Sequence, residues 1–420
     1  MRLAELPAAL RPRRRYSIFC GTNTWSEWRD AVRRYPPVGS EREQEEVTSY
    51  EAAFARTVGT SYAFGFAAGR MGLYAILEAL GVGPGDEVVI PAFTCVVVPN
   101  AILYRGARPV YVDVDPHTFN VDPEQVERAI TPHTRALYAQ HTFGLVCDVR
   151  ALMAIGKRHG LPVIEDVSHA LGALHAGRPA GSLADVAFFS TDYSKVINTQ
   201  LGGMVTTDDP DLARRLQEIQ ERAACLPPPL VRRMVRSFII QYPLFHPRVF
   251  WLGRLIIGGL WRAGLLFAFT DELDLQRPTR YPYPARLSGF QARLGLSQLR
   301  RLPDNMMHRR RIGLALEGRI RWLGEALEPD GGNHAFLRYS FLVTDRGAFL
   351  DRFARHFDLG IWFTSIAQGR DRDLDQIGYA VGSCRHAEHA TRHIVNFPTH
   401  NRVDAAFLIS AVDRELEFLR

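Results

Sequence analysis

Cysteine is scarce in this chain, and the few cysteines follow no motif. Their number is odd, and no two of them have CxxC spacing. This argues against a disulfide framework of the kind that small secreted domains need, and against a cysteine-based metal site. The pattern is typical of reduced thiols in a cytoplasmic protein. The cysteines are Cys20, Cys95, Cys147, Cys225 and Cys384.

Long hydrophobic runs are also missing. No apolar stretch reaches the roughly 18 residues that a membrane-spanning helix needs, because arginines interrupt the longest one at positions 248, 254 and 262. The N-terminus lacks the apolar core of a signal peptide, and arginines follow at positions 11, 13, 14 and 15, where a cleavage site would be expected. We therefore expect a cytoplasmic protein.

Several familiar catalytic and binding motifs are absent as well. The chain has no GxSxG, HExxH or Walker A sequence. The histidines at 141, 386, 389, 393 and 400 have no clear metal-ligand spacing, so no metal site is predicted. The net charge is only +6, and no nucleic-acid-binding motif accompanies it. Nucleic acid is therefore not an expected partner, whereas anionic ligands suit this charge.

What the chain does contain is an alternation of strand-like and helix-like segments between about residues 60 and 205. Alternation of this kind predicts an α/β fold with a mostly parallel, doubly wound sheet. We expect a large domain with an N-terminal arm over 1–220, a helical insertion over 221–285, and a smaller α+β domain over 286–420. The strand-like runs are 87–90, 109–112, 136–139, 161–164 and 186–189, and the helix-like runs include 41–58, 73–80, 123–130 and 149–160.

Residues 225–283 break this alternation with an apolar, aromatic and basic stretch over 238–269. Its large apolar groups are too many to leave in water, at ~1.5–3 kcal/mol for each buried side chain. Two hypotheses stay open. The segment packs on its own domain or on a partner subunit, which we favour, or it makes peripheral contact with the inner membrane face through 238–269. The groups are Phe238, Ile239, Ile240, Phe250, Trp251, Leu252, Ile256, Ile257, Leu260 and Trp261.

Two polar segments directly follow buried strand-like runs. Glu165 and Asp166 follow the run 161–164, and Ser190 follows 186–189, with Lys195 five residues later. Because parallel strands end at the edge where α/β enzymes bind ligands, Asp166 and Lys195 should face each other across one crevice. Pyridoxal phosphate needs this pair, an amine to hold its aldehyde as a Schiff base and an anion to keep its ring nitrogen protonated.

Each residue taken alone also allows a plainer interpretation. Asp166 would serve equally well as a helix N-cap, and His169 as a satisfied core histidine. The small residues around Gly69 and Arg70, before a helix predicted from Leu73, suit a phosphate at a helix N-terminus, but also an ordinary strand-to-helix turn. The order and spacing of the whole set favour the functional interpretation.

With these residues in view, the chain resembles the sugar aminotransferases of the DegT/StrS type, a group of fold-type I pyridoxal-phosphate enzymes. The resemblance covers about residues 36–220 and 286–415. Its central motifs are EDVSHALG from Glu165 to Gly172, and STDYSK from Ser190 to Lys195 followed by Gly202-Gly203. Further matching segments are GVGPGDEVVIP at 81–91, GARPVYVDVD at 106–115, HTFGLVCD at 141–148 and CRHAEHATRHIVNFPTH at 384–400.

The resemblance implies a role for the residues of these motifs. Lys195 would be the Schiff-base lysine, and Asp166 the partner of the pyridine nitrogen. His169 would lie near the ring oxygen of the cofactor, and Ser190 would contact its phosphate.

The resemblance extends to an upstream loop, with two departures. The backbone amides of Gly69 and Arg70 would contact the phosphate, although Arg70 stands where threonine is usual. Cys95 stands where many members place an aromatic ring that stacks on the cofactor.

The implied activity is that of an aminotransferase in polysaccharide or antibiotic sugar biosynthesis. It would move an amino group from an amino acid, glutamate or glutamine, to a keto-sugar that is nucleotide-linked. Such enzymes complete their active sites across a homodimer, which is the expected assembly. Two alternatives stay open: a non-catalytic or membrane-associated assembly protein on the same fold, and an enzyme that acts on a non-sugar ketone. Related dehydrases replace the lysine with histidine, so the presence of Lys195 favours transamination.

Overall fold

The structure is a computed structural model that describes residues 15–19, 21–33, 41–267 and 274–419. Most of the predicted N-terminal arm, and residues 268–269 of the apolar stretch, lie outside these ranges. The helices are α1 (Trp25–Arg33), α2 (Glu41–Val58), α3 (Gly69–Ala79), α4 (Val97–Leu103), α5 (Pro123–Arg128), α6 (Val149–His159), α7 (Pro210–Arg222), α8 (Pro228–Leu244), α9 (Phe250–Arg262), α10 (Gly289–Leu299), α11 (Leu302–Ile320), α12 (Arg346–Phe353), α13 (Arg385–His393) and α14 (Ala405–Leu419). The strands are β1 (Tyr16–Ser17), β2 (Tyr62–Phe66), β3 (Glu87–Pro91), β4 (Thr94–Cys95), β5 (Arg108–Val112), β6 (Thr134–Gln140), β7 (Val163–Asp166), β8 (Leu174–His175), β9 (Arg178–Pro179), β10 (Val186–Ser190), β11 (Gly203–Thr207), β12 (Ala224–Cys225), β13 (Ala285–Arg286), β14 (Arg338–Leu342), β15 (Phe357–Asp358), β16 (Ala367–Gln368) and β17 (Ile394–Pro398).

A nine-stranded sheet lies at the centre, in the order β12-β13-β2-β11-β10-β7-β6-β3-β5. The five strands from β10 to β5 are parallel to one another. Strand β11 is antiparallel to both of its neighbours, β10 and β2. The predicted α/β fold with a mostly parallel, doubly wound sheet is confirmed, and its antiparallel pairs are confined to one half of the sheet.

Both faces of the sheet are covered, which explains why its strands are apolar throughout. Successive side chains of a strand point to opposite faces. Phe188 therefore packs in a core with residues of α3, α4 and α7, whereas Phe189 packs in a second core with residues of α2, α5 and α6. Strand β7 ends at Asp166 and β10 at Ser190, so both residues reach the same carboxyl edge.

The C-terminal part has a core of its own. Strands β14 and β17 pair antiparallel, and Phe341 and Phe397 on them pack with residues of α11, α12 and α14. Residues from this part also reach the carboxyl edge of the central sheet, where Trp362 and Phe363 line a cavity together with Asp166 and Lys195. The cavity is thus lined by residues of the central-sheet region and of the C-terminal part.

The apolar stretch forms helices α8 and α9, and its burial is uneven. Phe238 and Phe250 are buried, at 1% and 3% exposure. In contrast, Leu252, Ile256 and Trp261 are 42%, 40% and 47% exposed, so packing within the chain covers only part of the segment. Within the described ranges, no helix combines the length and apolarity needed to cross a membrane.

We expect a second copy of the chain to cover part of this exposed apolar surface, so that the protein is a homodimer at micromolar concentration. Sedimentation velocity measures this oligomeric state. The double variant Leu255→Glu/Ile256→Glu should shift the protein toward monomer, because it places charges on side chains that are 47% and 40% exposed. Val381→Glu is the matched control, since Val381 is 79% exposed and lies outside this segment.

A monomeric wild-type protein would contradict the expected dimer. A double variant that stays dimeric like the control would show that this surface is not the dimer interface. Flotation with anionic liposomes tests the membrane alternative. Salt-resistant co-flotation that the double substitution abolishes would assign the surface to lipid instead.

Candidate active site

A cavity of about 300 Å³ opens at the carboxyl edge of β7 and β10. Every residue that the sequence singled out for the site lines this cavity, although they come from segments separated by up to 126 positions. The fold therefore brings the whole predicted set together. These residues are Gly69, Arg70, Cys95, Asp166, His169, Ser190 and Lys195.

The carboxylate of Asp166 is fixed by two hydrogen bonds. The hydroxyl of Tyr138 donates to its Oδ2 over 2.7 Å, and the backbone N–H of Ser168 donates to its Oδ1 over 2.8 Å. The residues that follow form a turn and not a helix, so the helix N-cap interpretation of Asp166 is wrong. Burial and the nearby Asp166 charge raise the pKa of Tyr138 far above its usual value, which keeps this hydroxyl a donor.

Lys195 lies in a turn after β10, where its backbone N–H donates to the carbonyl of Asp192 over 3.0 Å. Its Nζ is 5.4 Å from the centre of the Trp362 ring. Burial lowers the pKa of Lys195, and the Arg338 charge acts in the same direction, although Asp192 opposes both. A larger fraction of this amine is therefore neutral at neutral pH than in an exposed lysine, as a nucleophile or base requires.

His169 is buried and held in one orientation. Its Nδ1 accepts a hydrogen bond from the backbone N–H of Phe143 over 3.2 Å, and its ring is parallel to that of Phe143. Burial lowers the pKa of His169 well below its usual value, and the charges of Lys195 and Arg338 add to this effect. The imidazole is therefore neutral, with its proton on Nε2, which leaves Nε2 as a donor.

The N-terminus of α3 also lines the cavity. The helix begins at Gly69, four residues earlier than predicted, and no side chain caps it. A Cβ at Gly69 would lie 2.9 Å from Cβ of Ser190, and one at Gly203 would lie 2.5 Å from the backbone nitrogen of Gly69. Only glycine allows this approach, which brings the N-terminus of α3 beside Ser190 and creates a site suited to phosphate.

Several residues of the cavity were missed by sequence reasoning. Tyr138 lies on β6, next to β7, where Tyr138 pairs with Ile164 and Gln140 pairs with Asp166. The pairing of these two strands places Tyr138 close to Asp166, so a correct strand register would have indicated this residue. Trp362 lies far along the chain, and no local pattern marks it. Cys95, which was predicted, lines the cavity on β4, and its thiol donates to the carbonyl of Gln368 over 3.7 Å.

These groups fit pyridoxal phosphate. The tight crossing at Gly69 and Ser190 suits its phosphate, since added side chains would fill that space. A neutral-prone amine and a fixed carboxylate, Lys195 and Asp166, line the same cavity. Arg70, which also lines it, brings a positive charge near the helix N-terminus that a phosphate needs.

Comparison with known proteins supports the same conclusion. Residues 26–225 match the sequence profile of the DegT/DnrJ/EryC1/StrS aminotransferase family. The chain is 32% identical over 303 residues to GDP-perosamine synthase of Caulobacter vibrioides, a match that covers 70% of this chain and 68% of that protein. It is 37% identical over 256 residues to L-glutamine:2-deoxy-scyllo-inosose aminotransferase of Streptomyces fradiae, covering 59% and 58% of the two chains.

The fold is also found among solved structures. The PLP form of a sugar aminotransferase, Spr1654 from Streptococcus pneumoniae, superposes with a TM-score of 0.70 at 19% identity. The superposition covers 96% of this chain and 99% of the other, so it includes the C-terminal part beyond the matched profile. With the cavity described above, these relationships show that the chain belongs to the DegT/DnrJ/EryC1/StrS family and is a pyridoxal-phosphate-dependent aminotransferase.

Proposed function

We propose that this enzyme moves an amino group from glutamate or glutamine to a nucleotide-linked keto-sugar, and that Lys195 and Asp166 carry the chemistry. The observation on which the proposal rests is that a lysine of lowered pKa and a carboxylate with two hydrogen-bond donors line one cavity. Bound pyridoxal phosphate would supply an aldehyde that accepts the amine and a ring that accepts electrons.

Lys195 has two proposed tasks. Its neutral Nζ would hold the cofactor before the amino donor arrives. Once freed by the donor amine, the same Nζ would take the proton from the α-carbon of the donor and deliver it to the cofactor carbon that was the aldehyde. The turn after β10, closed by the hydrogen bond from the Lys195 backbone N–H to the carbonyl of Asp192, positions Lys195 in the lining of the cavity.

The other residues position and polarise the cofactor. The Asp166 carboxylate would hold a proton on the ring nitrogen, and its bonds to Tyr138 and Ser168 prevent it from turning away. The Nε2 proton of His169 would be available to the ring oxygen, because Nδ1 already accepts from the backbone N–H of Phe143. Ser190 and the backbone amides at the start of α3 would hold the phosphate.

The donor and the acceptor are supported by the names of the relatives. One similar protein is a GDP-perosamine synthase, and another uses L-glutamine and 2-deoxy-scyllo-inosose, which is a cyclic ketone. We therefore expect L-glutamate or L-glutamine to convert the bound cofactor to its amine form. That form should then aminate a keto-sugar nucleotide faster than a free cyclic ketone, as measured by mass spectrometry of both acceptor classes.

A preference for the free cyclic ketone would overturn the nucleotide-sugar assignment and support the non-sugar alternative. Absence of visible absorption from bound cofactor would instead contradict catalysis itself. Membership in an aminotransferase family and the assembled cavity argue against the non-catalytic alternative.

A further inference from the structure

Phe19, in the N-terminal segment 15–19, lines the active-site cavity together with residues from much later in the chain. Its ring contacts that of Tyr193 edge to face, with 5.5 Å between the ring centres, and its centre lies 6.2 Å from that of Trp362. Both of these residues line the cavity as well. Phe19, Tyr193 and Trp362 therefore form one continuous apolar surface in the cavity, the aromatic wall.

The segment that carries Phe19 is fixed to the C-terminal part of the chain. Tyr16 is fully buried, and its ring stacks on that of Phe357 with 5.6 Å between the ring centres. The carbonyl of Ser17 accepts a hydrogen bond from Nε2 of His400 over 2.6 Å. The backbone N–H of Phe19 in turn donates to Oγ of Ser17 over 3.1 Å. These contacts hold the Phe19 ring at the cavity.

The aromatic wall borders the reacting centre of the cavity. Nζ of Lys195 lies 5.4 Å from the centre of the Trp362 ring, and the centre of the His169 ring lies 6.5 Å from it. Phe19 and Tyr193 enlarge this surface by two further rings. A molecule that places its reacting carbon near Lys195 therefore has an extended apolar surface beside its other atoms.

The two proposed substrates differ in their use for such a surface. Glutamate and glutamine have no ring, and their ends are polar groups that need hydrogen-bond partners. The keto-sugar is cyclic, and a sugar ring exposes C–H groups on its faces while its hydroxyls lie around the rim. Such a face gains apolar contact on aromatic side chains, and the hydroxyls stay available for the polar groups of a pocket. The aromatic wall therefore suits the acceptor and not the donor.

We propose that Phe19 determines the choice of acceptor, because the ring of the keto-sugar packs on the aromatic wall with its carbonyl carbon toward Lys195. This assignment rests on the proposed function, in which the acceptor is a cyclic ketone. Phe19 then acts in the second half of the reaction, when the acceptor is aminated. It has no task in the first half, when the amino donor converts the cofactor to its amine form.

The two halves of the reaction can be measured separately in the holoenzyme. Phe19→Ala should lower kcat/KM for the keto-sugar nucleotide by about 10-fold, the size of one aromatic contact, as measured by mass spectrometry of the aminated product. The rate at which L-glutamate changes the absorption of the bound cofactor should stay as in the wild type. Phe19→Leu, which is apolar but has no ring, should lose nearly as much as Phe19→Ala. Phe19→Tyr, which keeps the ring, should retain the acceptor kinetics of the wild type.

Trp25→Ala is the matched control, because it removes an aromatic ring of the N-terminal region that is 50% exposed and lies outside the cavity. A kcat/KM for the acceptor in Phe19→Ala equal to that of this control would overturn the proposal. An equal loss in the donor half would also overturn it, since Phe19 would then only support the shape of the cavity. Full acceptor activity of Phe19→Leu would show that no ring is needed, with the same consequence.

Failure of the proposed function has a different signature, because it shows in the wild type alone. A wild-type enzyme that aminates no cyclic acceptor would refute that function, and the task of Phe19 would fall with it. If the wild type prefers a free cyclic ketone, the nucleotide-sugar assignment falls, and the same four variants compared on that ketone decide whether the aromatic wall holds its ring.

Discussion

Lys195→Ala should abolish transfer of the amino group, with a loss of at least ~10⁴-fold in kcat, the upper end of what a positioned acid–base group contributes. The reason is that one amine has two tasks, holding the cofactor and moving the proton. The variant should still bind pyridoxal phosphate through the phosphate site at Gly69 and Ser190, which does not involve the lysine. Single-turnover kinetics with L-glutamate measures the loss.

The composition of the chain makes the accompanying labelling experiment unusually clear. Only two lysines occur in 420 residues, Lys157 and Lys195. Reduction of the holoenzyme with borohydride should fix the cofactor on Lys195, and peptide mass spectrometry will show where it is attached. Lys157→Ala is the control, because Lys157 lies exposed on α6 and should affect neither labelling nor turnover. A cofactor adduct on Lys157 would refute the assignment of Lys195.

Regular elements with strong periodicity were predictable from the sequence. The helix expected over 41–58 is α2 with the same bounds, and the helix expected over 149–160 is α6, which ends one residue earlier. The five parallel strands from β10 to β5 were each predicted within two residues at either end. These segments are covered by a core on one or both faces, so their hydrophobic pattern alone encodes their structure.

The start of α3 was placed too late because tertiary packing overrides local preference there. The sequence GRMG has two glycines, which disfavour a helix interior by ~1 kcal/mol each relative to alanine. The helix nevertheless begins at Gly69, since Ser190 and Gly203 approach too closely for any side chain. The site thus requires glycine at a position where glycine disfavours a helix. A single sequence does not reveal that conflict.

The site itself was predictable only where strand order brings residues together. Asp166 and Ser190 end neighbouring parallel strands, so alternation along the chain was enough to place them at one edge. Trp362 and Phe363 come from the C-terminal part, more than 160 positions after Lys195. Their position depends on how that part packs against the sheet, which no periodic pattern records.

The second large effect is expected at Asp166. In Asp166→Asn, the amide oxygen can still accept from the Ser168 N–H, and the amide nitrogen can donate to the Tyr138 hydroxyl. The side chain therefore keeps its shape and place while losing its charge. Without that charge the proton on the ring nitrogen is lost, and kcat should fall by at least ~10²-fold, as when a preorganised charge is removed from an active site.

Tyr138→Phe is the matched control for Asp166→Asn. It keeps the carboxylate charge but removes one of its two hydrogen bonds, so kcat should fall by only about 10-fold, the effect of one hydrogen bond to a charged group. Steady-state kinetics with a saturating donor compares the two variants, and the absorption spectrum of each confirms that cofactor is bound. Near-wild-type turnover of Asp166→Asn would show that the carboxylate only stabilises the turn at Ser168. A larger loss in Tyr138→Phe than in Asp166→Asn would move the essential contact from the charge to the hydroxyl.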